Sequence, residues 1–294
     1  MHSFAYGHQL VFNTSCACNV DKKVIYVDLL QTLPKENYTH TVTFDSNQGR
    51  DIYLRTTKNI QGLSTLETWS FVVKEIVIFF CNTKTHTITY YPLVHYKENL
   101  MHYWLYHIVL PIYLTFDGTY YFLHAGSVII NNKATLFMGD SYAGKSTLTD
   151  FFLQQRHTLV SDDKIATFLQ SSTYMCEPSH NKHRPYRELE TLGIETEQFQ
   201  TDSLEIGKMY WITPVLEDAP VSIQELKGIQ KFTNLRYSTE MDIYINQKKR
   251  FEYLATLANN MPLYELQIPR DIERLPEVYE KIVAHATSQT EGKI

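Results

Sequence analysis

Cysteine is scarce in this chain, and its few cysteines match no familiar metal or redox spacing. Only four of the 294 residues are cysteine, at positions 16, 18, 81 and 176. One residue separates Cys16 from Cys18, whereas thioredoxin-like and zinc motifs place two residues between their cysteines. The N-terminus carries no signal-peptide pattern, so we expect reduced thiols and a cytoplasmic protein.

Long apolar runs and an excess of positive charge are also lacking. The longest apolar-looking stretch, Tyr103 to Phe116, is shorter than a bilayer span and contains His107 and Pro111. Lys and Arg number 27 against 32 Asp and Glu, which gives a formal net charge of −5. Proteins that bind nucleic acids normally carry a basic footprint. We therefore expect neither a membrane span nor a nucleic-acid partner.

One short segment, residues 139–147, carries a strong chemical signal and is termed the glycine loop below. Gly139 and Gly144 enclose four residues and are followed by Lys145 and Ser146, which is the spacing of a P-loop. Glycines allow the backbone to aim successive N–H groups at phosphate oxygens, lysine adds a positive charge, and serine offers a hydroxyl to Mg²⁺. The residues expected to bind the phosphates of ATP are Gly139, Asp140, Ser141, Tyr142, Ala143, Gly144, Lys145, Ser146 and Thr147.

The sequence around the glycine loop has the pattern that a phosphate site requires. Residues 134–138 (ATLFM) form a short apolar run that is typical of a buried strand. Residues 146–155 have the spacing of an amphipathic helix that opens directly from the loop. The order of strand, glycine loop and helix favours the P-loop over a chance glycine-rich turn.

A pair of aspartates follows the next predicted strand. Residues 157–161 (HTLVS) form this short apolar strand, and Asp162 and Asp163 come immediately after it. Because the carboxyl ends of strands open into the ligand crevice of an α/β sheet, the pair is expected to face the phosphates. One carboxylate can hold Mg²⁺ and the other can accept a proton from an attacking hydroxyl. The alternative is that the pair serves only as a helix cap or turn.

These elements together resemble the HPr kinase/phosphorylase family, whose nucleotide-binding core is shared with phosphoenolpyruvate carboxykinases. The similarity covers about residues 100–290, and the precise motif matches are residues 123–127 (LHAGS), the glycine loop and residues 157–163. The resemblance implies an α/β fold with a P-loop kinase core of this type, with ATP and Mg²⁺ as cofactors. By position it implies Lys145 as a catalytic residue, Asp162 as general base, Ser146 and Asp163 as metal ligands, and His124 close to the transferred phosphoryl group.

Two positions depart from the family pattern and bear on the substrate. Tyr142 stands where the family usually has a third loop glycine, and Thr147 stands where enzymes that act on HPr typically have Glu. These departures favour the stand-alone relatives, which phosphorylate serine hydroxyls of other molecules and include lasso-peptide precursor kinases. The expected partner is therefore a peptide or small protein with a serine hydroxyl. The sequence does not decide whether the protein forms a homo-oligomer.

The first part of the chain is expected to form a separate, smaller domain. Residues 1–95 contain short alternating segments rich in Thr and aromatic residues, which predict a β-rich N-terminal domain of unknown role. The predicted strands are residues 9–12, 23–27, 41–44 and 51–54, followed by a hairpin that pairs residues 71–80 with 87–91 across a polar turn. Residues 96–294 are expected to form the ATP-binding catalytic domain. Within it, residues 99–114 have helical spacing, with a bend expected at Pro111. A final helix is expected after Asp271 with Ile272, Leu275, Val278, Ile282 and Val283 on its inner face.

Several cationic residues beyond the aspartates are candidates for contact with an anion. Residues 180–187 form a polar basic segment whose arginines can clamp a phosphate or remain on a solvated surface loop. Lys208 and Arg236 are further candidates.

The leading hypothesis is an ATP- and Mg²⁺-dependent serine kinase. The first alternative is a kinase with the same core that acts on a free hydroxy amino acid. The second is a regulatory module that binds ATP without transferring phosphate.

Overall fold

The computed structural model describes residues 2–12, 23–44, 49–185, 190–239 and 245–288. It has mixed α/β secondary structure with two large sheets and one short two-stranded sheet. The chain divides into two compact units. The first reaches to Tyr121 and includes short segments near Glu190 and Lys249, and the second contains the remaining residues. The predicted domain boundary near residue 95 lies within the first unit and stays a prediction.

The first unit is built on an eight-stranded mixed sheet. Its strands are β1 (His2–Ala5), β2 (His8–Phe12), β3 (Lys23–Leu29), β4 (His40–Phe44), β5 (Ile52–Thr56), β6 (Thr68–Val73), β7 (Val77–Asn82) and β8 (Thr87–Pro92). Their order across the sheet is β1-β2-β3-β8-β7-β6-β5-β4. The sequence predicts β2 to β5, and the structure confirms them with ends that differ by one or two residues.

The hairpin predicted over residues 71–91 is confirmed in part. The structure pairs β7 with β8 across a turn in which the Asn82 side chain accepts hydrogen bonds from the N–H groups of Lys84 and Thr85. The predicted single strand over 71–80 is wrong, because a second turn separates β6 from β7. Glu75 occupies this turn with a φ of 66°, a left-handed conformation that ends the strand.

The helix predicted over residues 99–114 forms as two α-helices joined by a π-helical segment. These are α1 (Glu98–Trp104), the segment Leu105–Val109 and α2 (Leu110–Asp117). Pro111 lies at the beginning of α2, where its missing N–H costs least. The π-helical segment therefore precedes the proline instead of lying at it.

The second unit contains a nine-stranded mixed sheet. Its strands are β9 (Tyr121–His124), β10 (Gly126–Ile130), β11 (Lys133–Gly139), β12 (Leu159–Ser161), β13 (Lys164–Gln170), β14 (Thr173–Glu177), β17 (Leu204–Val215), β18 (Ser222–Glu225) and β19 (Leu263–Pro269). The order β12-β10-β11-β17-β14-β13-β9 forms the main path, and β19 joins β17 to β18. The short strands β15 (Lys182–His183) and β16 (Ile194–Glu195) form the separate two-stranded sheet.

Three strands of the second unit run parallel, and this places their carboxyl ends together. β17 pairs in parallel with β11 on one side and with β19 on the other. In register, Gly139 faces Ile212 and Val215 faces Pro269. The glycine loop therefore begins at the same edge where β17 and β19 end.

The second unit also contains α3 (Lys145–Gln154), α4 (Gly228–Tyr237), most of α5 (Gln247–Asn260) and α6 (Leu275–Thr287). The core between α3, α6 and the central strands includes the buried side chains of Phe137, Phe152, Tyr210 and Ile282.

The start of the last helix differs from its prediction in one respect. Asp271 caps it as expected, since its carboxylate accepts the N–H of Glu273 at 2.9 Å. A short 3₁₀ turn at Ile272–Arg274 then precedes α6. Val278 and Ile282 are buried as predicted, but Ile272 is 72% exposed, because it lies in the 3₁₀ turn before the helical periodicity begins.

None of the helices in the described ranges combines the length and the hydropathy that crossing a bilayer requires. Cys81 and Cys176 are buried free thiols, and burial raises the pKa of both. Cys16 and Cys18 lie outside the described residues.

Candidate active site

The glycine loop connects β11 to α3, as the sequence predicts. Gly139 has a φ of +149°, and a Cβ at this position would lie 2.9 Å from the main-chain oxygen of Ile212 on β17. Gly144 precedes the helix with a φ of +102°. Glycine is required at the first position for space and at both for backbone conformation. The first N–H groups of a helix have no partner within it, so the amino end of α3 favours an anion.

Lys145 is the first residue of α3 and is buried. Its Nζ donates hydrogen bonds to the main-chain oxygens of Gly139 at 2.8 Å and Asp140 at 2.9 Å. The ammonium group is thus held within the glycine loop, next to the N–H groups at the beginning of the helix.

Tyr142 is the unusual residue of the glycine loop. Its φ is +66°, a left-handed conformation that costs a residue with a side chain about 1–2 kcal/mol. Its side chain is 86% exposed. The loop therefore places a large aromatic ring at the surface in a backbone conformation that glycine would adopt more readily.

Asp163 lies between a histidine and an arginine. Its Oδ1 is 3.2 Å from Nδ1 of His124, and its Oδ2 is 3.1 Å from Nη2 of Arg184. His124 Nδ1 also lies 3.0 Å from the main-chain oxygen of Asp163. Since a carbonyl oxygen can only accept, Nδ1 of His124 carries a proton.

The neighbouring Asp162 is buried. Its Oδ2 accepts the main-chain N–H of Arg184 at 2.6 Å. Its Oδ1 is buried and, among the described residues, has no hydrogen-bond partner. Burial raises the pKa of the Asp162 carboxyl, the Arg184 N–H opposes this rise, and the charge of Asp163 adds to it.

The glycine loop and Asp163 meet at one polar cavity of about 250 Å³. Its lining residues are His124, Ser141, Tyr142, Gly144, Lys145, Ser146, Thr147, Asp163, Arg184 and Pro185. Four predicted residues do not line it: Gly139, Asp140, Ala143 and Asp162. Gly139 and Asp140 instead contact Lys145 through their carbonyl oxygens, and Ala143 lines a second cavity.

Arg184 was indicated by sequence only as part of a basic segment, and the structure places it in the polar cavity. The sequence also did not reveal a contact that holds β15, the short strand directly before Arg184. Nε2 of His183 donates to Oδ1 of Asp150 on α3 at 3.0 Å. His183 ends β15, so this hydrogen bond ties the segment that carries Arg184 to the helix that begins at the glycine loop.

The other predicted cations lie elsewhere. Lys208 is on β17, where its ammonium group is 5.4 Å from the centre of the Tyr264 ring and burial lowers its pKa. Arg236 is in the last turn of α4. Neither lines the polar cavity.

A second cavity of about 220 Å³ adjoins the other side of the glycine loop. Its residues come from the loop, from α3, from the ends of β17 and β19, and from the turn before α6. Tyr142, Gly144 and Thr147 line both cavities.

The chemistry of the polar cavity fits a magnesium ion bound together with phosphates. Within the described ranges, no group of three or more His, Cys, Asp or Glu side chains is arranged to hold a metal ion by itself. Mg²⁺ is commonly held by one or two carboxylates together with substrate phosphates and water. Ser146 and Asp163 line the same cavity and supply a hydroxyl and a carboxylate.

Comparison with known proteins gives a structural likeness and no match of sequence. No protein-family model matches the sequence, and no curated protein matches it. Among solved structures, the Hpr(Ser) kinase/phosphatase from Coxiella burnetii is similar over 58% of this chain and 99% of that chain, with 17% identity and a TM-score of 0.36. At this identity a likeness concerns the fold alone, and at this TM-score we base no further step on it.

Proposed function

We propose that the protein is a kinase that binds ATP with Mg²⁺ and transfers the γ-phosphoryl group to a serine hydroxyl of a peptide or small protein. The observation that carries the proposal is the polar cavity, where the glycine loop, Asp163 and Arg184 lie together. A phosphate-binding loop, a carboxylate and a cation are the parts that phosphoryl transfer requires.

The glycine loop and Lys145 bind the β- and γ-phosphates. The N–H groups at the beginning of α3 donate to phosphate oxygens, and the ammonium of Lys145 adds a positive charge. Arg184 adds a second cation in the same cavity, and its planar guanidinium suits phosphate oxygens. Asp163 and the hydrogen bond between His183 and Asp150 hold this arginine in place.

Ser146 and Asp163 are the proposed ligands of Mg²⁺. The metal, when bound, neutralises negative charge on the phosphate oxygens. His124 contacts Asp163 at 3.2 Å and fixes the orientation of this carboxylate.

Asp162 is the proposed base. The serine oxygen bonds to the γ-phosphorus, the bond from this phosphorus to the bridging oxygen of ADP breaks, and the carboxylate accepts the hydroxyl proton. Two features support the role: the raised pKa and the buried Oδ1. Since Asp162 does not line the cavity, its carboxylate must turn toward the acceptor or act through one water molecule.

Phosphate transfer tests this function directly. The protein is incubated with γ-labelled ATP, Mg²⁺ and one of two acceptors: the purified products of neighbouring genes, or free serine. Mass spectrometry then locates any added phosphate. We expect phosphate on a serine of a peptide or protein and none with Lys145→Ala. Lys74→Ala is the matched control, since Lys74 is an exposed lysine paired with Asp51 in the first unit.

Three other outcomes of these measurements would each change the proposal in a different way. Transfer to free serine alone would replace the peptide substrate with a small molecule. Binding of ATP without transfer to any acceptor would favour a nucleotide-sensing module. If no nucleoside triphosphate raises the melting temperature of the folded protein, the glycine loop does not bind nucleotides and the proposal is wrong.

A further inference from the structure

The second cavity differs from the polar cavity in its chemistry. Most of its lining is apolar and includes Leu148 of α3, Pro214 near the end of β17, and Ile268 and Pro269 at the end of β19. Two charged residues, Arg270 and Asp271, also line it. Charged and hydroxyl side chains instead dominate the polar cavity, so the second cavity is termed the apolar cavity below. This cavity lies beside the glycine loop because the parallel strands β11, β17 and β19 end at the same edge of the sheet.

The two cavities border the same glycine loop, since Tyr142, Gly144 and Thr147 line both. A nucleoside triphosphate has the same division, with a charged phosphate chain at one end and a flat apolar base at the other. The apolar cavity, at about 220 Å³, is smaller than the roughly 300–1,000 Å³ of pockets that enclose a complete drug-sized ligand. Its size suits a ring and not an entire nucleotide.

Two strongly exposed apolar side chains line the apolar cavity. Tyr142 of the glycine loop is 86% exposed, and Ile272 of the turn before α6 is 72% exposed. Tyr142 also has a left-handed backbone conformation. Strain of this kind tends to persist at binding sites, where the side chain itself is needed. An aromatic ring at the junction of the two cavities can stack on a base while the loop holds the phosphates.

We propose that the apolar cavity binds the purine base of the nucleotide and that Tyr142 stacks on this base. The inference rests on the proposed function, since it assumes that the phosphates occupy the polar cavity. It assigns to Tyr142 a role in recognising the base, separate from the binding of phosphate by the rest of the loop.

Binding of two probes tests this assignment. The affinities of the protein for ATP and for inorganic tripolyphosphate, both with Mg²⁺, are measured by titration calorimetry. Tripolyphosphate carries the phosphate chain without the base, so the ratio of the two affinities isolates the contribution of the apolar cavity.

We expect the unmodified protein to bind ATP at least about tenfold more tightly than tripolyphosphate, in line with stacking of a base on an aromatic ring. Tyr142→Ala is expected to lower this ratio about tenfold, and Tyr142→Phe to preserve it, because the ring and not the hydroxyl makes the contact. Ile272→Ala is expected to lower the ratio to a smaller extent. Ile229→Ala is the matched control, since Ile229 on α4 is also exposed (78%) but lines neither cavity.

Three outcomes would overturn the inference. Equal affinity for ATP and tripolyphosphate would mean that the base makes no contact, while the phosphate site of the proposed function would stand. An equal loss of both affinities in Tyr142→Ala would place Tyr142 in the phosphate site alone. If neither probe binds the folded protein, the proposed function fails together with the inference.

Discussion

The Asp150 carboxylate on α3 accepts a hydrogen bond of 3.0 Å from the ring of His183, the residue directly before Arg184. Through this contact, the helix that begins at the glycine loop and the segment that carries the cavity arginine are held together. One part-buried contact thereby positions Arg184 relative to the glycine loop, with His183 at the end of β15.

The first prediction concerns this contact. His183→Ala frees the Arg184 segment, and we expect kcat/KM for phosphate transfer to fall about 10- to 100-fold, as small displacements of positioning groups do. Asp150→Ala should give a similar loss, and the double variant should lose little more, since both remove one interaction. Asp150→Asn keeps an acceptor for the histidine and should retain most of the activity. Additive losses would show that the two residues act independently.

The second prediction separates the roles of the two aspartates. Asp162→Asn should lower turnover about 10²- to 10⁴-fold while ATP affinity stays nearly intact, since only the proton acceptor is lost. Asp163→Asn should weaken Mg²⁺-dependent ATP binding, measured by calorimetry at several Mg²⁺ concentrations. The reverse pattern would exchange the two roles. Near-normal turnover in both variants would mean that the pair is a structural turn.

The third prediction follows from the raised pKa of the Asp162 carboxyl. Because burial favours its protonated form, the folded state binds this proton more tightly than the unfolded chain does. Relative to Asp162→Asn, the unmodified protein should therefore lose stability as pH rises from about 3.8, the ordinary pKa of this group, to its raised value in the folded state. Above that value the difference should be constant. Urea unfolding of both proteins from acidic to neutral pH measures it, and a difference that does not change with pH would contradict the burial of Asp162.

The fourth prediction concerns the packing of α3 on β10. A Cβ on Gly126 would clash with Oγ1 of Thr149, a buried residue of α3. Gly126→Ala should therefore lower the free energy of unfolding by about 1–3 kcal/mol, the usual cost of overpacking. Adding Thr149→Ala should restore part of this loss, because the clashing hydroxyl is removed. Thermal unfolding of the two variants and of Thr149→Ala alone provides the comparison, and no recovery in the double variant would place the strain elsewhere.

The elements nearest the glycine loop were predictable because their signals are local. The apolar run before Gly139, the amphipathic spacing after Gly144 and the capping residue Asp271 each lie in a few consecutive residues, and the structure contains the corresponding strand, helix and cap. The meeting of Asp163 with the loop followed from the rule that strands end at a common edge.

The remaining features depend on contacts between distant residues. Asp162 is held by the N–H of Arg184, which is 22 positions further along the chain. At the turn between β6 and β7, the main-chain oxygen of Glu75 accepts the N–H of His95 at 2.7 Å, from the other side of β8. Neither contact leaves a periodic pattern in the sequence, so the sequence alone could not predict it.

The polar cavity has a particular balance of charge. Its side chains include two cations, Lys145 and Arg184, and one carboxylate, Asp163, so these three groups sum to a single positive charge. A nucleoside triphosphate carries several negative charges, and most of these would remain uncompensated by the protein. A site with this balance would discriminate between the magnesium complex of a nucleotide and the free nucleotide, and chelation of the metal would weaken binding even with every side chain in place.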